Sequence, residues 1–233
     1  MKEKIPQISV LIPAYRAEKY IAEAIESALN QTLKPFEVIV IDDGSPDNLH
    51  EVAKQYEPSV SLFKKVNEGI SKTRNFALQK SSGNLIAFLD ADDYWPENHL
   101  ESLFKKMEES NHTDMVFGST KEFVSPELNQ EQIGKGRKEL FSRVPVPGSI
   151  LIKKEIFEKV GVFDESLQAA EFIDWFDRTK NMGISSESID ETVLFRRLHL
   201  ENNGVVNKNS QQDYLKVLRA SIKRKQEKRK NES

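Results

Sequence analysis

The sequence predicts an α/β domain built on a mainly parallel central sheet with helices on both faces. Three observations predict it. Short β-branched runs alternate with stretches of helical apolar spacing through the first hundred residues. The strand at Leu85 to Leu89 is continuously apolar, as a strand buried on both faces must be. Pro13-Ala14-Tyr15, Asp42-Asp43-Gly44-Ser45 and Asp90-Ala91-Asp92-Asp93 close the first, second and fourth strands, where open α/β sheets carry their ligands.

Each element follows in turn. Ile8 to Ile12 is a β-branched run and reads as the first strand. Ala17 to Asn30 carries apolar residues at 21, 25, 28 and 29 and reads as a helix. Glu37 to Ile41 is the second strand, stopped by Asp-Asp-Gly-Ser-Pro. Asp47 to Tyr56 is a helix, Val60 to Lys64 a short strand, Ile70 to Lys80 a helix stopped by Ser-Ser-Gly, and Leu85 to Leu89 the fourth strand. Beyond His99 the pattern loosens. A helix to about Glu109 and a strand over Asp114 to Phe123 are expected. The polar stretch 125–142 reads as a mobile loop. A strand at Ser149 to Ile152, helices at Glu155 to Val160 and Glu171 to Met182, and a strand near Glu191 to Phe195 complete the body. No internal repeat and no linker divides it.

Composition sets the limits. The chain has 233 residues, 38% apolar and 30% charged, enough to build one packed domain. Cysteine is absent, so disulfides, Cys-ligated metals and a cysteine nucleophile are excluded. Mean hydropathy is −0.56, and no apolar run approaches the ~20 residues that cross a bilayer. A cytoplasmic location is the expectation, since no apolar signal core follows Met1. Charge is uneven. From Arg219 to Ser233 seven Lys/Arg face two Glu, a net +5, which leaves −8 on the rest of a chain that totals −3. The basic tail, with Tyr214, Leu215, Val217, Leu218 and Ile222 at helical spacing, reads as a solvated helix, as a helix packed on the body, or as a peripheral contact with anionic lipid or another polyanion.

The strand ends hold the chemistry. Asp90-Ala91-Asp92-Asp93 sets three carboxylates in four residues, which repel one another unless a cation sits among them. Asp90 and Asp92 point the same way in an extended segment. Such oxygens suit Mg2+ or Mn2+ bridging a diphosphate; the plain alternative is an Asp-rich helix-capping turn. Asp42-Asp43-Gly44-Ser45 offers a carboxylate for the imide N–H of a pyrimidine, and Tyr15 a ring to stack on it; an ordinary turn and a surface aromatic are the alternatives. Neither G-x-G-x-x-G nor G-x-x-x-x-G-K-[ST] occurs, so a dinucleotide fold or a P-loop is not expected.

Together these pieces resemble the family 2 glycosyltransferases of the GT-A fold. The resemblance runs through Val10-Leu11-Ile12-Pro13-Ala14-Tyr15, Ser27 to Thr32, Ile41-Asp42-Asp43-Gly44-Ser45, Asn67-Glu68-Gly69 with Arg74-Asn75, and Phe88 to Asp93. It implies a Rossmann-like sheet and an inverting enzyme that moves a sugar from a nucleotide-sugar, usually UDP-linked, to an acceptor hydroxyl on a glycan, lipid-linked or peptide acceptor. It implies a nucleotide-binding half at about 5–100 and an acceptor-binding half at about 101–208; the basic tail read from the charge follows at 209–233. On this resemblance Pro13, Ala14, Tyr15, Asp43, Arg74, Asp90 and Ala91 line the nucleotide. Asp92, with His199 near the end of the domain, holds Mn2+ or Mg2+.

The second half departs from the family. Gly161-Val162-Phe163-Asp164-Glu165 resembles its Gly-Gly-Phe-Asp-Glu, and Val144 to Ile152 its sugar-facing segment. The usual base, however, is the Asp of a Glu-Asp pair, and the matching positions are Glu171 and Phe172. Glu171 and Asp174 are three apart on one helix face, and Asp174 is the favoured substitute. Trp175 reads as a core aromatic or an acceptor platform. Arg196 and Arg197 are candidates for assisting at the diphosphate. Alternatives to transfer are a nucleotidyltransferase, a nucleotide-sugar binding protein impaired in catalysis, and, least supported, nucleic-acid binding through the tail.

Overall fold

A computed structural model describes residues 6–110, 112–128, 140–199 and 210–231. Strands β1 (Ile8–Ala14), β2 (Glu37–Asp42), β3 (Ser61–Lys64) and β4 (Leu85–Phe88) alternate with helices α1 (Ile21–Leu29), α2 (Leu49–Lys54) and α3 (Ile70–Lys80). They pair in parallel in the order β3-β2-β1-β4, with Leu11 opposite Ile39 on one side and Phe88 on the other. Strand order reverses between β1 and β4, so a crevice opens above their carboxyl ends.

After α4 (His99–Glu109) the sheet changes direction. Strand β7 (Ile150–Lys153) runs antiparallel to β4, and β5 (Met115–Val124) antiparallel to β7. The short β6 (Phe141–Ser142) pairs with the far half of β5, at Thr120 and Lys121. Strand β8 (Ser186–Leu198) lies parallel to β5 along its other edge. The expectation for 191–195 caught less than half of β8. Its first half alternates exposed and half-buried residues and only the later part enters the core, so apolar content alone marks a short strand. Part of the stretch expected as a loop is β6; residues 129–139 lie outside the described residues.

Two apolar layers sandwich the sheet. Ile8, Val10 and Ile12 point to a layer with α1, α2 and α4; Leu11, Ile39 and Phe88 point to one with α3, α5 (Glu155–Val160) and α6 (Glu171–Asn181). This alternation follows from the two-residue period of strands. Trp175 is fully buried in the second layer, stacked on Phe157, and its Nε1–H donates to Gly161 O at 2.8 Å. Phe172 is buried beside it. Both are core residues, so Trp175 is no acceptor platform.

Helix α7 (Ser210–Asn231) packs along α6. Val217 is buried against Leu167 and Ala170. Asp213 accepts the N–H groups of Gln168 and Ala169 at 2.8 and 3.1 Å. No described helix is long and apolar enough to cross a membrane.

Candidate functional site

The three strand ends meet at the crevice. Pro13 is buried in β1 opposite Ile41, Ala14 is nearly covered, and Tyr15 emerges 43% exposed with the Arg16 guanidinium 5.3 Å above its ring. Arg16 adopts φ 53° and donates its N–H to Ser45 Oγ at 3.2 Å, tying the β1 and β2 loops together. Gly44 is required there. It sits at φ +68°, and a Cβ would fall 2.7 Å from the Asn67 nitrogen.

Asp43 is buried, and its carboxylate organises the segment that opens α3. It accepts Glu68 N–H and Gly69 N–H, each at 3.0 Å, an Asn67 amide hydrogen at 3.3 Å, and the Lys65 ammonium. These contacts use all four lone-pair directions of a carboxylate. A pyrimidine N–H would have to displace one of them.

The Asp90-Ala91-Asp92-Asp93 segment divides its labour. Ala91 is buried in the core. Asp90 reaches Arg74 of α3 at 2.6 Å. Arg74 is 3% exposed, and its other terminal nitrogen donates to Glu171 at the start of α6. Burial works against the charged guanidinium, but the Asp90 and Glu171 carboxylates outweigh it and hold it above its ordinary range. Asp93 points inward. It is buried and accepts the Arg197 N–H at 2.8 Å. Burial, then the charges of Asp92 and Asp90, raise its carboxyl well above the usual range, so this third acid is structural.

Asp92 Oδ2 lies 2.9 Å from His199 Nε2, just beyond β8. The His199 ring is nearly buried and rests against Tyr20 at 4.8 Å between centroids. Arg197, on the same strand face two residues earlier, donates its Nε–H to Asp92 O at 3.0 Å and pairs with Glu23. Arg197 thus braces the Asp92 backbone, while Arg196 turns to Glu122 at 3.2 Å. A cleft of about 510 Å³ opens beside this pair, with Arg16, Lys19, Asp47 and His199 in its wall.

Among the described residues no three His, Cys, Asp or Glu side chains gather as a metal cage. Two are the number expected when phosphate oxygens and water complete the shell. Two ligands at about 2.1 Å in neighbouring octahedral positions stand about 3 Å apart. The Asp92–His199 separation of 2.9 Å fits that spacing, and one carboxylate oxygen with one imidazole nitrogen suits Mn2+ better than Mg2+, which prefers an all-oxygen shell.

Asp174 joins none of this. Its carboxylate accepts Arg178 Nε–H at 2.9 Å and Arg224 Nη2–H, from α7, at 3.0 Å. Glu171 and Asp174 do share a buried side of α6, but the first turn faces the Arg74–Asp90 pair while the next already lies under α7. The favoured substitute base is therefore placed away from the strand-end cluster. Sequence reasoning missed Tyr20 and Lys65, the inward structural role of Asp93 and the bracing role of Arg197. For Arg197 the two-residue spacing to His199 was the available signal.

The sequence pattern described as Glycosyl transferase family 2 matches residues 9–165. The chain belongs to glycosyltransferase family 2. It is 30% identical over 208 residues to an uncharacterised glycosyltransferase of Rickettsia typhi, which covers 83% of this chain but spans 64% of that protein. In architecture this family 2 chain is similar to residues 1–349 of TarS from S. aureus in complex with UDP-GlcNAc, at TM-score 0.76 and 22% identity over 94% of this chain and 66% of that one. It is also similar to the mannosyltransferase PcManGT from Pyrobaculum calidifontis in complex with GDP-Man and Mn2+, at TM-score 0.73 and 18% identity over 95% and 65% of the two chains. These likenesses establish the GT-A fold of this family 2 chain.

Proposed function

We propose that the protein transfers a glycosyl group from a UDP-sugar to an acceptor hydroxyl, with inversion at the anomeric carbon. The observation that carries the reading is the Asp92–His199 pair at the carboxyl end of β4, beside the Arg74–Asp90–Glu171 chain. Its supports are the family and the UDP-sugar seen in a protein of like fold. Tyr15 and Ala14 line the base. Asp43 acts through the segment 65–69, because its own lone pairs are already used. Asp92 and His199 hold Mn2+ or Mg2+, which when bound offsets the charge that develops on the departing diphosphate. Arg74 fixes Asp90 toward the ribose or donor sugar. Glu171 replaces Asp174 as the proposed general base, since it alone of the two reaches the cluster.

Calorimetry of UDP binding with and without Mn2+ tests the site. Mn2+ should tighten binding in the wild type, and Asp92→Asn or His199→Ala should remove that gain, by at least the roughly 10–100-fold that even outer-shell partners command. UDP binding that ignores Mn2+ and both substitutions overturns the assignment. Release of UDP from UDP-sugars, with no pyrophosphate, separates transfer from nucleotidyl transfer. Glu171→Gln should lower kcat by roughly 10²–10⁴ and leave donor KM nearly unchanged. The buried Phe172 and the arginine pairing of both Glu171 and Asp174 favour one second reading, a protein that binds the nucleotide-sugar without turnover. UDP binding with no UDP release on any acceptor supports that reading.

A further inference from the structure

Helix α7 has two faces of opposite character. The inner one is spent on the body. Asp213 holds the Gln168 and Ala169 N–H groups, Val217 is buried, Ser221 donates to Asp177 at 2.9 Å, and Arg224 reaches Asp174 and Asp177. The outer one carries Tyr214, Leu215, Leu218 and Ile222, which are 50, 52, 57 and 48% exposed. At 100° per residue these four fall on one side of the helix. Beyond Ile222 the same side continues into Lys225 and Arg229, with Arg219 on its rim. Among the described residues no Asp or Glu lies on it; Asp213 faces inward and Glu227 lies on the far flank beside Lys223. None of Arg219, Lys225 and Arg229 forms an ion pair among the described residues.

We propose that this outer face docks on a bilayer surface rich in anionic lipid, with the apolar stripe set into the headgroup boundary and the basic turns against lipid phosphates. The pattern chooses the occupant. Four large apolar side chains have no use for a nucleic-acid phosphate backbone. A second copy of α7 would continue the Leu215–Leu218–Ile222 seam into Lys225 and Arg229, and in either direction that face offers no acidic counterpart. A lipid surface satisfies both halves at once, apolar depth for the stripe and negative charge for the basic end. At 22 residues the helix is about 33 Å long, and it lies on the membrane rather than crossing it. The proposal does not depend on the reading of the transfer site.

Co-sedimentation of the full chain with phosphatidylcholine vesicles, with and without phosphatidylglycerol, tests it. Binding should be at least tenfold tighter with phosphatidylglycerol and fall steeply with salt. Each basic residue neutralised is worth about fivefold, so Lys225→Gln with Arg229→Gln should weaken binding roughly 25-fold. Leu218→Glu with Ile222→Glu should weaken it more than tenfold. All four positions are exposed, so an unchanged thermal unfolding midpoint certifies the fold of each variant. Equal binding to neutral vesicles, no vesicle binding, or full binding by the Leu218→Glu/Ile222→Glu variant overturns the proposal. So does a dimer in sedimentation velocity that this variant dissolves, which would make a second copy the occupant. Heparin binding without vesicle binding would assign the face to a polyanion and overturn it equally.

Discussion

Replacing Glu171 by Met leaves the Arg74 guanidinium buried with Asp90 as its one remaining carboxylate. Breaking a buried pair costs about 3–5 kcal/mol, but Asp90 persists, so about 2–3 kcal/mol is expected. Arg74→Met strands Glu171, whose side chain is 9% exposed, while Asp90, 35% exposed, can turn to water. That variant should lose about 3 kcal/mol. The double variant removes the stranded charge in both senses and fills the space with thioethers, so it should lose only about 1–2 kcal/mol. Simple addition of the single variants would give about 5–6 kcal/mol, hence a coupling of about 3–5 kcal/mol. Urea unfolding followed by the fluorescence of Trp95 and Trp175 measures all four proteins. Losses that add to within about 0.5 kcal/mol would refute the reasoning, because the bridge would then not be an energetic unit.

Burial, partly offset by the contact with Val193 O, lowers the His99 pKa from 6.5 to about 3. The unfolded chain therefore takes up a proton that the folded protein refuses, and His99 costs stability as pH falls below 6.5. Between pH 7 and 4.5 the wild type should lose about 2.5 kcal/mol more than His99→Phe; equal losses in urea unfolding would refute this. Gly83→Ala would set a Cβ 2.4 Å from Gln7 O and 2.9 Å from Ser9 N, both backbone. It should lower stability by about 2 kcal/mol or more and depress the thermal midpoint by several degrees. Asp213→Ala leaves the Gln168 and Ala169 N–H groups without their carboxylate, costs about 1–3 kcal/mol, and should speed hydrogen exchange at those two amides specifically.

The parallel strands of the first half were legible because such strands are buried on both faces. Val38 to Ile41 and Leu85 to Leu89 are unbroken apolar runs ended by Asp, and little else in a soluble chain looks like that. The Asp92–His199 pair came from the resemblance rather than from spacing, since the two are separated by 107 residues and meet only because β8, parallel to β5, brings Phe195 into a bridge with Tyr94. The choice between Glu171 and Asp174 was not legible at all. Their helix spacing is correct, but Arg224, fifty residues on, claims Asp174, and no local pattern announces such a contact. His99 offered no signal either. It is a core residue, stacked on Trp95 at 3.8 Å with Nδ1 2.6 Å from Val193 O, and sequence does not distinguish it from an exposed histidine at the start of a helix.

Helix α3 behaves as a socket for the segment leading into α6. Ser71 donates to Leu167 O at 2.6 Å, Asn75 exchanges hydrogen bonds with the Phe163 backbone at 3.0 Å in both directions, and Arg74 holds Glu171. Three side chains within five residues thus grip a stretch almost a hundred positions away. Anyone grafting the second half of one relative onto the first half of another meets this at once. A crossover placed near residue 100 would pair a foreign 163–171 segment with a native α3 and pull plug from socket. A joint placed ahead of α3 carries the mating parts together, so the natural unit of exchange starts about forty residues before the sheet changes direction.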